Sequence, residues 1–511
     1  MRRTNRGVLT ACICLVALTS IQCGQAGDLD EGQDPRLVIH LADSDERVLG
    51  PMGPGPQWFY VYLGLVFDPY FSGGESDLSG DYEPRLMESW EHTPDYTSWT
   101  LHLRDEVRWD DGVPVTAEDV KFSLEMWTSD EIAYEYRFYD EIEVMDSHTV
   151  RVTFSKPVSS TIFVYSWLPM LPKHLLDTLD VEQIFSWPFW LQPVGDGPYR
   201  YVKHIPRTMT ELEANPDYYG EQPSIPTVVL QYGGSGYIEL VSGNVDIASQ
   251  ITPLEAMQIA ADPRFRVYYR AESLVMAIAW NHQNPLFQDA AVRRALTMSI
   301  NRRGLHQLLN YPDDLPISDV PTMKRHFAQG SVPEPLPFDP ERAARVLETA
   351  GWIDTDGNGI REKDGQEFRF TLSIGPATET QAIYIQEHFR RVGIHMEIST
   401  YERSVLRQRW RDQNFDATIQ RHNFVEGHKN ASFSGYVNPE VRRLSNLVWY
   451  TMDQDKADQY LQGIWEIVGT EIPITYLHPR MSFLAAHRRV KGLQNDSFLS
   501  TIVEHLWIEE E

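Results

Sequence analysis

FRFTLSIGPATETQAIYIQEHFRRVGIHMEI, residues 368–398, decides the fold. Phe368, Phe370, Leu372 and Ile374 alternate with polar neighbours, the period of a strand with one buried face. Ala382, Ile385, Phe389 and Val392 then recur at helical spacing, and Gly393 supplies a left-handed stop. Ile394, Met396 and Ile398 alternate again. Strand–helix–strand with short joins is a βαβ unit, which predicts parallel strands in an α/β layer. A helix over 404–412 and a strand through Phe415, Ala417 and Ile419 extend the pattern.

Upstream, Asp339-Pro340-Glu341 combines a cap, a first-turn proline and a first-turn acid. Ala343, Val346, Leu347 and Ala350 make the stripe that follows, and Gly351 ends it. The region 37–275 reads differently. Short strands such as 99–103 and 149–154 are separated by proline-rich turns, which predicts a mixed α+β lobe. Within it, Thr116-Ala117-Glu118-Asp119 has the capping-box pattern and starts a helix through Ala117, Val120, Leu124 and Trp127. The apolar stretches 274–280 and 472–477 border the α/β region, where they are placed to carry the chain into and out of it. There is no internal repeat.

The chain has 511 residues, more than one core accommodates, so several domains are expected. Hydrophobic residues make up 42% and charged residues 23%, a globular composition that excludes disorder for most of the chain. Lys and Arg number 45 against 73 Asp and Glu, a formal charge of -28. That balance argues against nucleic acid as a partner and for a well-hydrated surface.

The three cysteines, Cys12, Cys14 and Cys23, all lie in the first 23 residues. A disulfide framework, a Cys-ligated metal and a thiol nucleophile are therefore excluded for the folded part. Arg2, Arg3 and Arg6 precede GVLTACICLVALTSI, residues 7–21, which suits the apolar region of an export signal and is short for a membrane span. Two exits are open. Cys23 is placed for lipidation after cleavage before it, although Ser20-Ile21-Gln22-Cys23 departs from the usual lipobox. Gly24-Gln25-Ala26 offers an ordinary cleavage site. Residues 24–36 read as a flexible tether.

Catalytic signatures are missing. Gly233-Gly234-Ser235-Gly236-Tyr237 fails the nucleophile-elbow pattern at its last position, and no phosphate loop or HExxH occurs. His422, Glu426 and His428 cluster within seven positions, and the reading favoured is a polar loop. Asp354-Thr355-Asp356-Gly357-Asn358-Gly359 matches the start of a calcium loop, making Asp354, Asp356 and Asn358 weak metal candidates. The twelfth position is Gly365 where a bidentate acid belongs, so a Gly/Asp turn is the expectation. Neither a catalytic residue nor a cofactor is assigned.

Nine blocks together resemble the family 5 solute-binding proteins of ABC importers, whose members include oligopeptide, dipeptide and nickel binders. They are PRLMESW (84–90), WTLHLRDEVRWDDGVPVTAEDVKFSLE (99–125), GDGPYRYV (195–202) with NPDYYG (215–220), SGNVDIA (242–248), WNHQNPLFQDAAVRRALTMSINRRGL (280–305), the AGW and DTDGNGIREKDG stretch (350–365), VGI (392–394), FDA (415–417) and NPE (438–440). They stand in family order over about 37–480. Gly195 and Gly197-Pro198 permit a sharp crossing between elements. The helix after Phe287 is expected to carry Arg293 and Arg294 on its polar side.

The resemblance implies an α/β fold of mixed α+β and α/β lobes, a two-lobed periplasmic binding protein type II-like architecture with an extra subdomain in the N-terminal lobe. It implies a signal segment over 1–23 and a tether over 24–36. Lobe I is assigned to 37–62, 182–275 and 478–511, its extra subdomain to 63–181, and lobe II to 276–477. The implied function is capture of a peptide or other small-molecule ligand by hinge closure, followed by delivery to an ABC permease. The protein is expected to be a monomer, exported to the periplasm or cell surface and lipid-anchored through Cys23. The alternatives are an exported carboxylate-dependent hydrolase and a non-transport sensor or chaperone with the same fold.

The resemblance places the ligand between the lobes. Trp58, Phe59 and Tyr60, in a loop flanked by Gly53-Pro54-Gly55-Pro56, occupy the family's first cleft position. Trp280 and Asn281 stand beside a hinge strand. The acid that pairs a peptide's amino terminus belongs after the FDA strand. The D-Y-x-D-P pattern is absent there, and His422 and Glu426 are the candidates that remain.

Overall fold

The structure is a computed structural model that describes residues 35–41, 57–72, 83–129, 139–157, 168–181, 187–320, 332–423, 434–451, 453–495 and 502–509; side chains of 57–60, 272–274, 422–423, 449–450 and 454 lie outside this description. The export signal, Cys23, residues 24–34 of the tether, the 53–56 run, Glu426 and His428 fall outside the described residues, while Arg36, assigned to the tether, begins a strand.

The chain opens with β1 (Arg36–Leu41) and α1 (Gln57–Val66). An antiparallel sheet follows, from β2 (Met87–His92), β3 (Ser98–Leu103), β4 (Glu141–Asp146) and β5 (Thr149–Thr153), in the order β2-β3-β5-β4. Helix α2 (Ala117–Trp127) packs on it. The Asp119 carboxylate accepts from the Thr116 amide at 2.8 Å and its hydroxyl at 2.9 Å, so the capping-box signal marked a real helix start.

The main sheet takes β6 (Tyr199–Ile205), β7 (Met209–Ala214), β8 (Thr227–Tyr232), β9 (Ile247–Ser249) and β10 (Phe265–Trp280). Helices α3 (Ala290–Ser299), α4 (Arg302–Leu308) and α5 (Pro340–Thr349) come next. The βαβ unit is β11 (Arg369–Ile374), α6 (Glu379–Arg391) and β12 (His395–Thr400), extended by α7 (Arg403–Arg411) and β13 (Ala417–Asn423). Helices α8 (Pro439–Tyr450) and α9 (Gln454–Glu471) lead into β14 (Ile474–His487).

Ten strands form one sheet in the order β12-β11-β13-β10-β14-β9-β1-β8-β7-β6. Strands β11 and β12 are parallel, with Phe370 opposite Met396 and Leu372 opposite Ile398, as the alternation over 368–398 predicts. Phe368, Phe370, Leu372, Ile374, Ala382, Ile385, Phe389, Val392, Ile394 and Met396 are all buried in one cluster. Each side chain of this size contributes roughly 1.5–3 kcal/mol on leaving water, so this unit anchors its half of the sheet.

The apolar stretches at 274–280 and 472–477 prove to be halves of longer strands. Strand β10 runs 16 residues and β14 runs 14, antiparallel to each other. Their first contacts, Phe265 with His487 to Ala271 with Met481, lie beside β9. Their last, Val275 with Pro479 to Ala279 with Ile474, lie where β10 also pairs with β13. The register shifts between Ala271 and Val275 and again between Met276 and Ala277. Such bulges bend strands and interrupt pairing.

The apolar core is divided accordingly. One cluster gathers β1, α1, the four-stranded sheet, α2 and β8; another gathers Ile278, Trp280, α3, the βαβ unit and Leu477.

Two glycines hold the first cluster's elements at close range. A Cβ on Gly195 would sit 2.0 Å from the Val66 carbonyl oxygen, and one on Gly197 2.6 Å from the Val66 carbonyl carbon. The Gly197 amide donates to that oxygen at 2.9 Å. The sharp crossing read from GDGP is thus a backbone approach to the end of α1. Gly195→Ala is expected to cost about 3 kcal/mol of stability through overpacking, read by chemical denaturation.

Candidate functional site

Trp58, Phe59 and Tyr60 lie in the first turns of α1, which corrects the loop reading. The segment QWFYVYLGLV is apolar nearly all round, so it offers no helical stripe to read, and a helix of that kind is buried. Val61, Tyr62, Leu63, Leu65 and Val66 are indeed buried. The side chains of 58–60 lie outside the described residues.

Trp280 is fully buried. Its indole packs against Phe287 at a ring separation of 5.0 Å, and its Nε1 donates to Thr475 Oγ1 at 3.1 Å. Asn281 is also buried, donating from Nδ2 to the carbonyls of Phe415 at 2.7 Å and Gln413 at 3.2 Å. Both side chains are therefore engaged in joining β10 to the turn before β13 and to β14. His422 stands in β13 opposite Val275, at the bulged part of β10, and its side chain is outside the described residues. The structure thus places His422 beside the crossover of β10 and β14. It describes no contact between His422 and Trp58–Tyr60, and Glu426 lies outside the description.

The calcium-like loop takes another form. Oxygens of Asp354, Asp356 and Glu362 lie within 4.8 Å of one another, so the third acid is Glu362 and not Asn358. Asp354 accepts from the amides of Gly357 and Gly359 at 2.8 and 3.0 Å, Asp356 from Asn358 at 3.0 Å, and Glu362 from Thr355 at 2.8 Å. Asn358 Oδ1 accepts from the Ile360 amide at 2.7 Å. These bonds stabilise the turn, while Glu362 Oε2 is buried without a hydrogen-bond partner.

Two buried polar clusters escaped the sequence. Arg293 is 3% exposed and not on a polar face, which corrects that expectation. It donates to the carbonyls of Glu471, Ile472, Phe287 and Gln288, with distances from 2.6 to 3.1 Å. These acceptors lie at the ends of a short 3-10 turn and of α9, where helical carbonyls have no partner within the helix. Its cation also faces the negative end of α9, just before β14.

The second cluster ties three of the sequence blocks together. Asp68 pairs with Arg85 at 2.5 Å, accepts from the Tyr218 hydroxyl at 3.2 Å and accepts from the Tyr219 hydroxyl. Arg85 also reaches Glu504 at 3.0 Å. The Asp68 amide donates to Asp196 Oδ1 at 3.0 Å. Burial raises the Asp68 carboxyl, with Arg85 pulling against it; burial and the Asp68 charge push Asp196 well up. PRLMESW, GDGPYRYV and NPDYYG thus meet at one knot, which holds the fold together.

At the crossover, two imidazoles are buried. His478 in β14 faces His306 of α4 edge-on, with ring centroids 6.3 Å apart, and Tyr311 lies 5.1 Å from His478. His306 Nε2 bonds the Leu477 carbonyl at 3.1 Å and His478 Nδ1 the Pro479 carbonyl at 2.8 Å. Burial holds His478 down to about 4 and lowers His306 as well. A folded-state value below that of the unfolded chain means stability present above about 6.5 and lost as pH falls toward 4. His478→Gln is therefore expected to flatten the loss of stability between pH 6.5 and 4 by about 3 kcal/mol relative to wild type. Equal slopes in denaturation at both pH values would contradict this.

Two strands passing between two apolar clusters in a mixed α/β chain define the type II periplasmic binding protein fold, and solved structures match it. The substrate-binding protein CtaP of Listeria monocytogenes aligns with a TM-score of 0.82 at 17% identity, covering 94% of this chain and 100% of that one. NikA of Brucella suis, in complex with Fe(III)-EDTA, aligns at 0.80 and 20% identity, covering 93% and 100%. Among curated relatives, the oligopeptide-binding protein AppA of Bacillus subtilis is 23% identical over 444 residues, 80% of each chain. The nickel-binding periplasmic protein of Escherichia coli is 24% identical over 419 residues, 75% of this chain and 76% of the relative. The model of the bacterial extracellular solute-binding proteins, family 5, matches residues 81–441. The chain belongs to that family.

Proposed function

We propose that this protein is the substrate-binding component of an ABC importer, capturing peptides or similar small solutes and delivering them unchanged to a membrane permease. The observation that carries the reading is the pair of bulged strands, β10 and β14, through which the chain passes between two separate apolar clusters. Strand pairs interrupted in this way can act as a hinge, and a ligand that binds the closed state better drives closure. Relatives named for oligopeptide and nickel binding support the ligand class.

In this reading 37–62, 182–275 and 478–511 form lobe I, 63–181 its extra subdomain and 276–477 lobe II. The ligand sits between them, contacted by Trp58, Phe59 and Tyr60 from α1, by His422 in β13 and by Glu426 after it. Trp280 and Asn281 support the site from behind. The protein acts as an exported monomer, anchored through Cys23. No helix among the described residues is long and apolar enough to cross a membrane.

Mass spectrometry of ligand copurifying with the protein tests the reading. Recovery of intact peptides or small solutes is expected; catalytic turnover of the recovered compound would favour the hydrolase alternative. Trp58→Ala is expected to weaken binding of the recovered ligand about tenfold or more, through lost aromatic contact, while leaving the melting temperature of the free protein within a few degrees. A Trp58→Ala protein that unfolds would make Trp58 a core residue.

A further inference from the structure

We infer that helix α7 seats the anchored protein on an anionic phospholipid surface through a stripe of three arginines, Arg403, Arg407 and Arg411. The inference goes beyond ligand capture, and it rests on the reading of Cys23 as a membrane anchor.

The chain carries 73 Asp and Glu against 45 Lys and Arg, so acids are at hand for its exposed cations. Lys203 meets Glu211 at 2.8 Å, Arg264 meets Asp262 at 2.7 Å and Arg443 meets Glu440 at 2.7 Å, each with the cationic side chain more than half exposed. Helix α7 departs from that pattern. Its sequence, RSVLRQRWR, holds four arginines and no lysine. Arg403, Arg407 and Arg411 are exposed, and among the described residues none of the three meets an acid within ion-pair distance.

Spacing brings them together. Steps of four residues along a helix return to one face, so three guanidinium groups line up over eight residues, about 12 Å. Leu406 is buried, and Trp410 Nε1 donates to Thr418 Oγ1 at 3.0 Å, which fixes the neighbouring face against β13. Arg409 is engaged elsewhere, with its guanidinium 4.7 Å from the centre of the Tyr401 ring. Glu402 stands at the N-cap. Asp412 stands at the C-cap and accepts from Gln408 Nε2 at 3.0 Å. Like charges four residues apart repel, so the stripe costs stability in the free protein and gains it when an anionic surface faces the helix.

Charge and reach select phospholipid as the occupant. Guanidinium forks match phosphate oxygens through paired, charge-assisted hydrogen bonds, and every cation on α7 is an arginine. Helix α7 joins β12, the last strand of the ten-stranded sheet, to β13, and so lies toward one edge of the sheet. Six strand spacings separate β12 from β1, roughly 29 Å. The thirteen residues from Cys23 to Arg36 reach up to about 45 Å when extended. An anchor at Cys23 therefore leaves α7 free to touch the surface to which the chain is tethered. The formal charge of -28 opposes this only weakly, because charges more than about 8 Å from the lipid are screened at physiological salt. Each arginine near an anionic leaflet is worth about fivefold in a surface equilibrium, so three together favour the seated orientation by roughly a hundredfold. A lipid chain combined with a basic patch is also an arrangement that holds a protein stably at a membrane.

The test uses the full-length protein extracted from membranes with its anchor and reconstituted in two kinds of vesicle, phosphatidylcholine alone and an equal mixture with phosphatidylglycerol. The cysteines all lie in the first 23 residues, so Val405→Cys gives a labelling site on α7 and Val202→Cys a reference site on β6, the opposite end strand of the sheet. Energy transfer from each label to a headgroup dye is the readout. Transfer from position 405 is expected to be at least twofold higher in the mixed vesicles, and transfer from position 202 is expected not to rise. Arg403→Gln with Arg407→Gln and Arg411→Gln, or 0.5 M NaCl, is expected to return position 405 to the phosphatidylcholine level, while the triple Arg→Lys variant retains part of the rise. Circular dichroism and the melting temperature establish that the variants are folded. Equal transfer from position 405 in both vesicles, an equal rise at position 202, or an undiminished rise in the folded triple Gln variant overturns the inference and leaves the anchor and the solute-binding reading standing. A rise seen in native membrane vesicles but in neither synthetic lipid assigns the stripe to an acidic membrane protein and overturns the lipid reading. Protein that leaves the membrane in salt alone overturns the anchor and this inference with it.

Discussion

Arg293→Ala is expected to remove about 3–5 kcal/mol of stability, the cost of breaking a buried charged network. Five donor contacts disappear together, and the buried carbonyls of Ile472 and Phe287 lose their partner along with the more accessible ones of Glu471 and Gln288. The loss falls where α9 hands the chain to β14. Ile472 there adopts a left-handed conformation with φ of 44°, unusual for a β-branched residue, so the surrounding bonds must hold it. Arg294→Ala is the control. Its side chain reaches Gly469 and Thr470 from a half-buried position, and its loss should cost under about 1 kcal/mol. Similar losses in the two variants, measured by chemical denaturation, would contradict the role assigned to Arg293.

The second large effect is expected at Asp68. Asp68→Ala leaves Arg85 facing Glu504 alone and strips the Tyr218 and Tyr219 hydroxyls of their acceptor. A loss of about 3–5 kcal/mol is expected, because a buried network of charge-assisted bonds loses its central acceptor. With Arg85→Met added, the combined loss is expected to be smaller than the sum of the two single losses, because the Asp68–Arg85 interaction is counted in both. Strict additivity of the two single losses in the double variant would show that the pair is not coupled. The same knot explains why PRLMESW, GDGPYRYV and NPDYYG travel together: Arg85, Asp196, Tyr218 and Tyr219 come from them, and all converge on Asp68.

What could be read in advance depended on whether the deciding interaction was local. The βαβ unit was legible because each of its elements buries one stripe, and a stripe has a period. The capping box at Thr116 and the cap at Asp339 were legible because donor and acceptor lie three residues apart. Arg293 was not. Its acceptors at Glu471 are 178 positions away, and nothing nearby says that a helix will end there needing donors. The crossover strands were half legible. Residues 274–280 and 472–477 are apolar and stand out, whereas 265–273 carry Arg266, Arg270 and Glu272 and hide the strand. Helix α1 was missed because its residues are apolar on all sides, and the glycine–proline run before it drew the reading toward a loop.

The candidate site was less legible than the fold. Trp280 and Asn281 stand beside a hinge strand, which by sequence alone suits a ligand contact. The indole fills the second apolar cluster and the amide ties down a turn. Aromatic and amide side chains serve packing and binding equally well, so type and position in sequence do not separate the two uses.

Small-angle scattering, with and without the ligand recovered from the native protein, tests the central claim most directly. A hinge that closes on its cargo predicts a smaller radius of gyration in the loaded state, with the compound released chemically intact. An unchanged radius at saturating ligand, or release of a cleaved product, would contradict it.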